Sequence, residues 1–267
     1  MNHQRITLPT GVPMDVYIPH VSQEINTHVQ RPAIVVCPGG GYQFLSEREA
    51  EPIALRFLSL GFNCAVVWYR VAPNCFPAPQ QDAACAVAWL RQHAAETHTR
   101  PDSIAVMGFS AGGHLAGSLG VMWPRAELWQ PLGLTPADVK PNAMVLCYPV
   151  ISSGEYAHRG SFMNLTGTED TAAHAAYSLE TLVTPDTPPA FLWHTWFDGL
   201  VPVENTLLMA AALRKHNVPA EVHIFPRGGH GISLANDITT STQWPEQSVE
   251  ECTIWPEMAG RFLKQVL

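Results

Sequence analysis

Short, unbroken apolar runs recur along the chain: AIVVC (33–37), CAVVWY (64–69), IAVMG (104–108), AMVLCY (143–148), AFLWH (190–194) and EVHIF (221–225). A strand exposed on one face alternates apolar and polar positions. Continuous apolarity therefore predicts strands covered on both faces, as in a parallel sheet. The stretches between the runs carry helical signals. SEREAEPIALRFLSLG (46–61) begins at Ser46, a candidate cap, has acids in its first turn and stops at Gly61. APQQDAACAVAWLRQHAAE (78–96) sets Ala83, Val87 and Leu90 on one side. VENTLLMAAALRKHN (203–217) closes with Arg214, Lys215 and His216, where cations complement the helix dipole, and Asn217 is a plausible stop. IWPEMAGRFLKQVL (254–267) reads as a final amphipathic helix, and RITL and MDVYIP around PTG read as an N-terminal hairpin on the sheet edge. Such alternation predicts a doubly wound α/β domain, a mostly parallel central sheet with helices on both faces.

One segment breaks the rhythm. Residues 151–189 are too long for an ordinary connection, with a short helix expected near 171–182. They read as a small cap-like insertion within a single domain spanning 1–267, since long insertions tend to be lids or binding loops. With 267 residues, 46% of them hydrophobic, the chain can fill one large core, and it shows no internal repeat. Lys and Arg number 15 against 23 Asp and Glu, 15 − 23 = −8, and the charges are scattered. No basic run tracks a phosphate backbone or anchors to an anionic membrane, and no apolar run reaches bilayer-spanning length. The expected partners therefore include neither nucleic acid nor membrane. The first residues, MNHQRITLPTGVPMDVY, carry no apolar signal core, so the expected location is cytoplasmic. None of the six cysteines lies in a C-x-x-C pair, and they read mostly as buried thiols; Cys37 immediately precedes a glycine cluster. Neither H-x-x-x-H nor H-E-x-x-H occurs, so no metal or other cofactor is expected.

Ligand sites in open α/β sheets lie beyond the carboxyl ends of the strands. Four signals fall there. Ser110 sits in Gly108-Phe109-Ser110-Ala111-Gly112 directly after IAVM. G-x-S-x-G between strand and helix is the pattern of a nucleophile elbow, whose strained turn leaves no room for neighbouring side chains. Ala111 would open the next helix with its N–H aimed outward. PGGGY (38–42) follows AIVVC, and its glycines allow backbone N–H groups to face a developing oxyanion; a plain turn or a phosphate loop are the other readings, the latter without its GK[ST]. His230, in PRGGHG (226–231), stands where a general base would reach over the sheet. Its rival among twelve histidines, His114, lies one helical turn past Ser110 and reads as packing. Asp198 follows AFLWHTWF and could orient a histidine, with Glu204 and Asp170 as alternatives; 230 − 198 = 32 residues leaves room for a helix and a strand between acid and base.

These motifs resemble the α/β-hydrolase superfamily, and more narrowly its acetyl esterase and acetylxylan-esterase-like members with a triple-glycine oxyanion motif. The resemblance is carried by CPGGGY, GFSAGGHLA, CYPVIS, WHTWFDGLVPVENT and FPRGGHG, from about residue 30 onward. It implies the α/β-hydrolase fold and a serine esterase with Ser110 as nucleophile, His230 as base and Asp198 as acid. It also implies the N–H groups of Gly40, Gly41 and Ala111 as oxyanion hole. Pro38 stands where many related esterases have histidine, and the N-terminal cap of lipase-like relatives is missing; both turn the expectation away from long-chain lipids. Tyr42 and Trp196, at loop positions beside the motifs, are candidate pocket walls. The expected partner is a small-molecule ester, such as an acetylated sugar, with the chain alone or as a homo-oligomer. An amidase or formamidase, a small-peptide hydrolase and a non-catalytic ligand-binding homologue are the alternatives.

Overall fold

The structure, a computed structural model, describes residues 1–241 and 248–267. Its strands are β1 (Asn2–Thr7), β2 (Pro13–Ile18), β3 (Arg31–Cys37), β4 (Asn63–Val67), β5 (Thr99–Phe109), β6 (Ala143–Cys147), β7 (Ala190–Thr195) and β8 (Ala220–Phe225). They form one sheet in the order β1-β2-β4-β3-β5-β6-β7-β8. β1 and β2 pair antiparallel as the expected edge hairpin, β2 joins β4 antiparallel, and every pairing from β4 to β8 is parallel. This is the α/β-hydrolase architecture.

The unbroken apolar runs have a direct structural cause. Along β3, Ala33, Val35 and Cys37 enter one core while Ile34 and Val36 enter the other. Helices α2 (Ala78–Gln92), α3 (Ala111–Met122) and α8 (Glu204–Lys215) cover the first face through Val87, Leu115 and Leu213. Helices α1 (Glu51–Ser59) and α9 (Trp255–Val266) cover the second, where Phe57, Trp255 and Phe262 pack against Phe109 and Trp193. Five cysteines are buried in these cores, Cys75 is half-buried, and all six are free thiols. Among the described residues no helix is long and apolar enough to cross a membrane.

Two elements differ from expectation. The helix expected over 46–61 is split into a 3-10 turn at Glu47–Glu49 and then α1, with Ala50 outside helical space at φ −110°, ψ −105°. Pro52 lies in the first turn of α1, where its missing N–H does no harm; a helix continuing through it would lose a bond. Ser46 makes no side-chain cap. Within 151–189 the expected helix near 171–182 is broken into α7 (Thr171–His174) and two 3-10 turns, and α6 (Arg159–Thr166) precedes it. Asp170 caps α7 by accepting the Ala172 N–H, which leaves it a structural role. The short helices α4 (Ala126–Trp129) and α5 (Pro136–Val139) lie on the route from α3 to β6.

The strand–helix junction after β5 is built from backbone in contact with backbone. A Cβ at Gly108 would collide with the Gly112 carbonyl, and one at Gly112 with the carbonyls of Cys37 and Pro38. Gly112→Ala should therefore lower the unfolding free energy by about 1–3 kcal/mol or more, since added atoms in a filled site force backbone shifts. Urea unfolding checks this; an unchanged midpoint would refute the close approach.

Candidate active site

Ser110 links β5 to α3 at φ 54°, ψ −119°, a conformation that side chains rarely adopt. Its N–H donates to the Cys147 carbonyl (3.0 Å), and its own carbonyl accepts from Val150 and His114 (3.0 and 3.1 Å), so the strain is held from both sides. The hydroxyl stands 2.7 Å from Nε2 of His230. His230 reaches over from the loop after β8, whose Gly228 and Gly231 take positive φ. Its Nδ1 lies 2.6 Å from Oδ2 of Asp198, beyond β7. Ser110, His230 and Asp198 are thus brought into one chain of hydrogen bonds.

The hydrogens of that chain follow from its ends. Asp198 Oδ1 accepts the N–H groups of Leu200 (3.0 Å) and Val201 (2.9 Å), and Oδ2 accepts His194 Nε2 (3.2 Å) as well as His230. Burial by itself would push this carboxyl up. The bonds from His194 and His230, the charge of His230 and the Val201 N–H outweigh it and hold the carboxyl well below the usual range. An ionised carboxylate only accepts, so His230 Nδ1 donates and Nε2 is left to accept the Ser110 proton. Glu204, the other alternative acid, opens α8 and takes no part.

Three further N–H groups face no protein acceptor among the described residues: those of Gly40, Gly41 and Ala111. Ala111 opens α3, where the first N–H groups lack helical partners. Gly40 takes φ +130°, and a Cβ there would collide with the Phe44 carbonyl. The glycine loop is pinned around them: Gly39 N–H donates to Glu49 (2.8 Å), and Asn164 of α6 donates to the Gly41 carbonyl (2.8 Å). A cavity of about 240 Å³ opens here, walled by Gly40, Gly41, Ser110, His230, Glu49, and His158, Gly160 and Asn164 from the insertion. A second cavity of about 610 Å³ adjoins it on the His230 side, between Phe44–Arg48, Leu200 and Gly229–Ile232.

Tyr42 and Trp196 do not form its walls. Tyr42, at φ 57°, turns its ring inward to 1% exposure, and its hydroxyl meets His114 Nδ1 (2.9 Å). His114 Nε2 donates to the Tyr177 carbonyl (2.8 Å), and burial pushes the imidazole down to about 4, so it packs as a neutral ring. Trp196 continues the pairing with β8 through its N–H to the Phe225 carbonyl (2.8 Å), and its ring is 56% exposed outside the cavity. Phe44 and Leu200 stand in the places expected of them. His158, Asn164 and Glu49 lie outside the motifs of the sequence, whereas His194 falls within WHTWFDGLVPVENT, four residues before Asp198 at the same strand end.

Comparison with known proteins agrees with this architecture. Residues 14–213 match the BD-FAE family model. The chain is 37% identical over 219 residues to endo-1,4-beta-xylanase B of Butyrivibrio fibrisolvens, covering 79% of this chain and 34% of that protein. It is 31% identical over 230 residues to an acetylxylan esterase of Xylanibacter ruminicola, covering 84% of this chain and 45% of that one. The chain thus spans between a third and a half of the curated relatives it matches. Among solved structures, an acetyl ester-xyloside bifunctional hydrolase from Caldicellulosiruptor lactoaceticus superposes with a TM-score of 0.81 at 37% identity, covering 97% of this chain and 89% of that one.

The depressed Asp198 carboxyl has a consequence for stability. A carboxyl held below its unfolded value, about 3.9 for Asp, stabilises the fold above that pH and loses the contribution as pH falls through its folded value. Wild type should exceed Asp198→Asn by about 2–3 kcal/mol near neutral pH, with the gap closing in acid. Urea unfolding of both proteins at neutral and acid pH decides it, and a gap that widens in acid contradicts the assignment.

Proposed function

The chain belongs to the BD-FAE family, and from that premise we propose that it is a serine carboxylesterase hydrolysing short acyl esters, acetyl above all, on sugars or oligosaccharides. The observation that carries this reading is the Ser110–His230–Asp198 chain of hydrogen bonds beside three unpartnered N–H groups. His230 Nε2 takes the proton of Ser110 as its oxygen attacks the ester carbonyl, and Asp198 stabilises the imidazolium that results. The N–H groups of Gly40, Gly41 and Ala111 take the oxyanion. Collapse breaks the ester bond, and His230 returns the proton to the departing alkoxide. A water molecule, deprotonated by the same imidazole, then hydrolyses the acyl-serine and frees the acid.

The two cavities divide the substrate. The leaving oxygen must lie within reach of His230 Nε2, so the alcohol extends into the wider cavity along Phe44, Leu45, Leu200 and Ile232. Apolar faces of this kind suit the carbon face of a pyranose ring. The acyl group faces His158 and Asn164 in the cavity of about 240 Å³, below the roughly 300–1,000 Å³ common for ligand pockets. That size favours acetate over long acyl chains. Relatives named as an acetylxylan esterase and an acetyl ester-xyloside hydrolase support the sugar.

Hydrolysis of aryl esters from acetate to octanoate, by the wild type and Ser110→Ala in parallel, tests the reading. The acetate ester should give the highest kcat/KM, and S110A should lose roughly 10³-fold or more in kcat. Equal inertness of both proteins on every ester would refute it.

A further inference from the structure

Glu49 is a glutamate with 3% exposure at the edge of the cavity that holds Ser110. Burying a carboxyl is unfavourable unless it is well bonded, and a nearby cation is the usual compensation. Here the bonds come instead from two uncharged donors on different segments. Oε2 accepts the N–H of Gly39 (2.8 Å), the residue before Gly40 and Gly41. Oε1 accepts the hydroxyl of Tyr148 (2.6 Å), just past the end of β6. The Tyr148 oxygen at the same time accepts the Ser233 N–H (3.0 Å), so one hydroxyl joins both segments.

Through Tyr148 the link reaches the histidine loop. Ser233 lies three residues past His230, and the Tyr148 ring stands edge-on to the imidazole at 5.2 Å and 69°. Ser233 is itself tied back: its hydroxyl donates to the Arg48 carbonyl, and its own carbonyl accepts Trp255 Nε1 (2.9 Å). The glycine loop, the turn before α1, the end of β6 and the loop after β8 therefore meet at one carboxyl group.

We propose that Glu49 is a positioning residue: its carboxyl fastens the glycine loop to the wall behind His230, setting the Gly40 and Gly41 N–H groups and the imidazole at the separation that attack by Ser110 requires. This rests on the acyl-transfer reading of Ser110 and His230. Neither partner of Glu49 touches the reacting atoms, so its effect passes through the two loops. The effect is also electrostatic. The groups facing Glu49 are Tyr148 and Cys147 from the end of β6, Tyr69 beyond β4, neighbouring Arg48, and His230. Burial raises its carboxyl, while the Tyr148 and Gly39 bonds and the fields of His230 and Arg48 oppose the rise. Those facing His230 are Asp198 and His158 as well as Glu49. Both oxygens of Glu49 accept, and as a carboxylate it adds a second negative charge beside the imidazolium formed during attack.

Glu49→Gln keeps the shape but removes the charge and one accepting oxygen. For acetate ester hydrolysis, E49Q should lower kcat by roughly 10- to 100-fold with KM within about twofold, since small misplacements of reacting groups cost that much. The acid limb of its kcat/KM–pH profile should move to lower pH, which a merely structural role would not do. Tyr148→Phe keeps the ring against His230 and deletes only the hydroxyl link; it should lower kcat by roughly 3- to 10-fold, again with KM held. Y148F keeps the test decisive if E49Q fails to fold. Wild-type kcat with an unmoved profile in E49Q, or wild-type kcat in Y148F, overturns the proposal. The rate at which an aryl phosphonate labels Ser110 separates this idea from the esterase reading. A wild type that labels but hydrolyses no ester ends that reading alone, with slower labelling of E49Q still expected; a wild type that does not label ends both.

Discussion

At the carboxyl ends of β3 and β5 the chain packs main chain against main chain, with no room for a side chain between. Gly112 of α3 presses on the carbonyls of Cys37 and Pro38, and Gly108 presses on Gly112. Tyr69 donates its hydroxyl to the same Pro38 carbonyl (2.5 Å), and the Ser110 N–H reaches the Cys147 carbonyl of β6 (3.0 Å). This contact sets the glycine loop against the serine turn, where a Cβ at Gly39 would meet the Phe109 carbonyl and Cβ of Ser110. Any Cβ inserted there would separate the N–H groups of Gly40 and Gly41 from the serine they flank. Strain at Ser110 is the cost of that approach, and the regular parallel pairing on both sides bears it.

Two buried carboxyls then flank one imidazole with opposite behaviour. Asp198 receives four hydrogen bonds, including two backbone N–H groups, and is held ionised far below its usual range. Glu49 receives two and is pushed upward by its burial. The difference lies in the number of donors supplied, since both groups are removed from water. Asp198 is thereby the stronger orienting partner for His230, and Glu49 is free to bind two loops together. His194, locked between Asp198, the Val201 carbonyl (2.9 Å) and Thr206 (2.8 Å), completes the support from α8.

Much of this was legible in the sequence because it rests on periodicity and on turns that only certain residues can make. Unbroken apolar runs gave the parallel sheet, since each strand feeds two cores. Ser110, Asp198 and His230 stand out in the sequence because each lies within five residues of the end of such a run and beside glycine or a turn. What escaped depends on side-chain direction at irregular backbone. Tyr42 reads as a loop aromatic near the site, yet its positive φ sends the ring into the core. Glu49 sits in SEREAEP, which looks like the solvated start of a helix; the break at Ala50 turns it inward instead. Pro52 was the available clue to that break.

Residues 151–189 supply one wall of the smaller cavity, and periodicity is silent there. Its backbone is held by side chains from outside it: Asn205 of α8 accepts the N–H groups of Ile151 and Ser152 (2.9 Å each) and donates to the Tyr156 carbonyl (2.9 Å). From that anchorage α6 sends Asn164 to the Gly41 carbonyl and sets His158 over the cavity. His158 Nδ1 accepts the Ser161 N–H (3.3 Å), which puts the ring hydrogen on Nε2. Burial, together with the field of His230, lowers this imidazole and keeps it uncharged. The wall of the smaller cavity is therefore a neutral N–H donor and an amide fastened to the glycine loop. Widening this cavity past α6 would require the helix to move and break the bond that holds Gly41 in place, so the width of the cavity and the position of the glycine loop are set by the same contact.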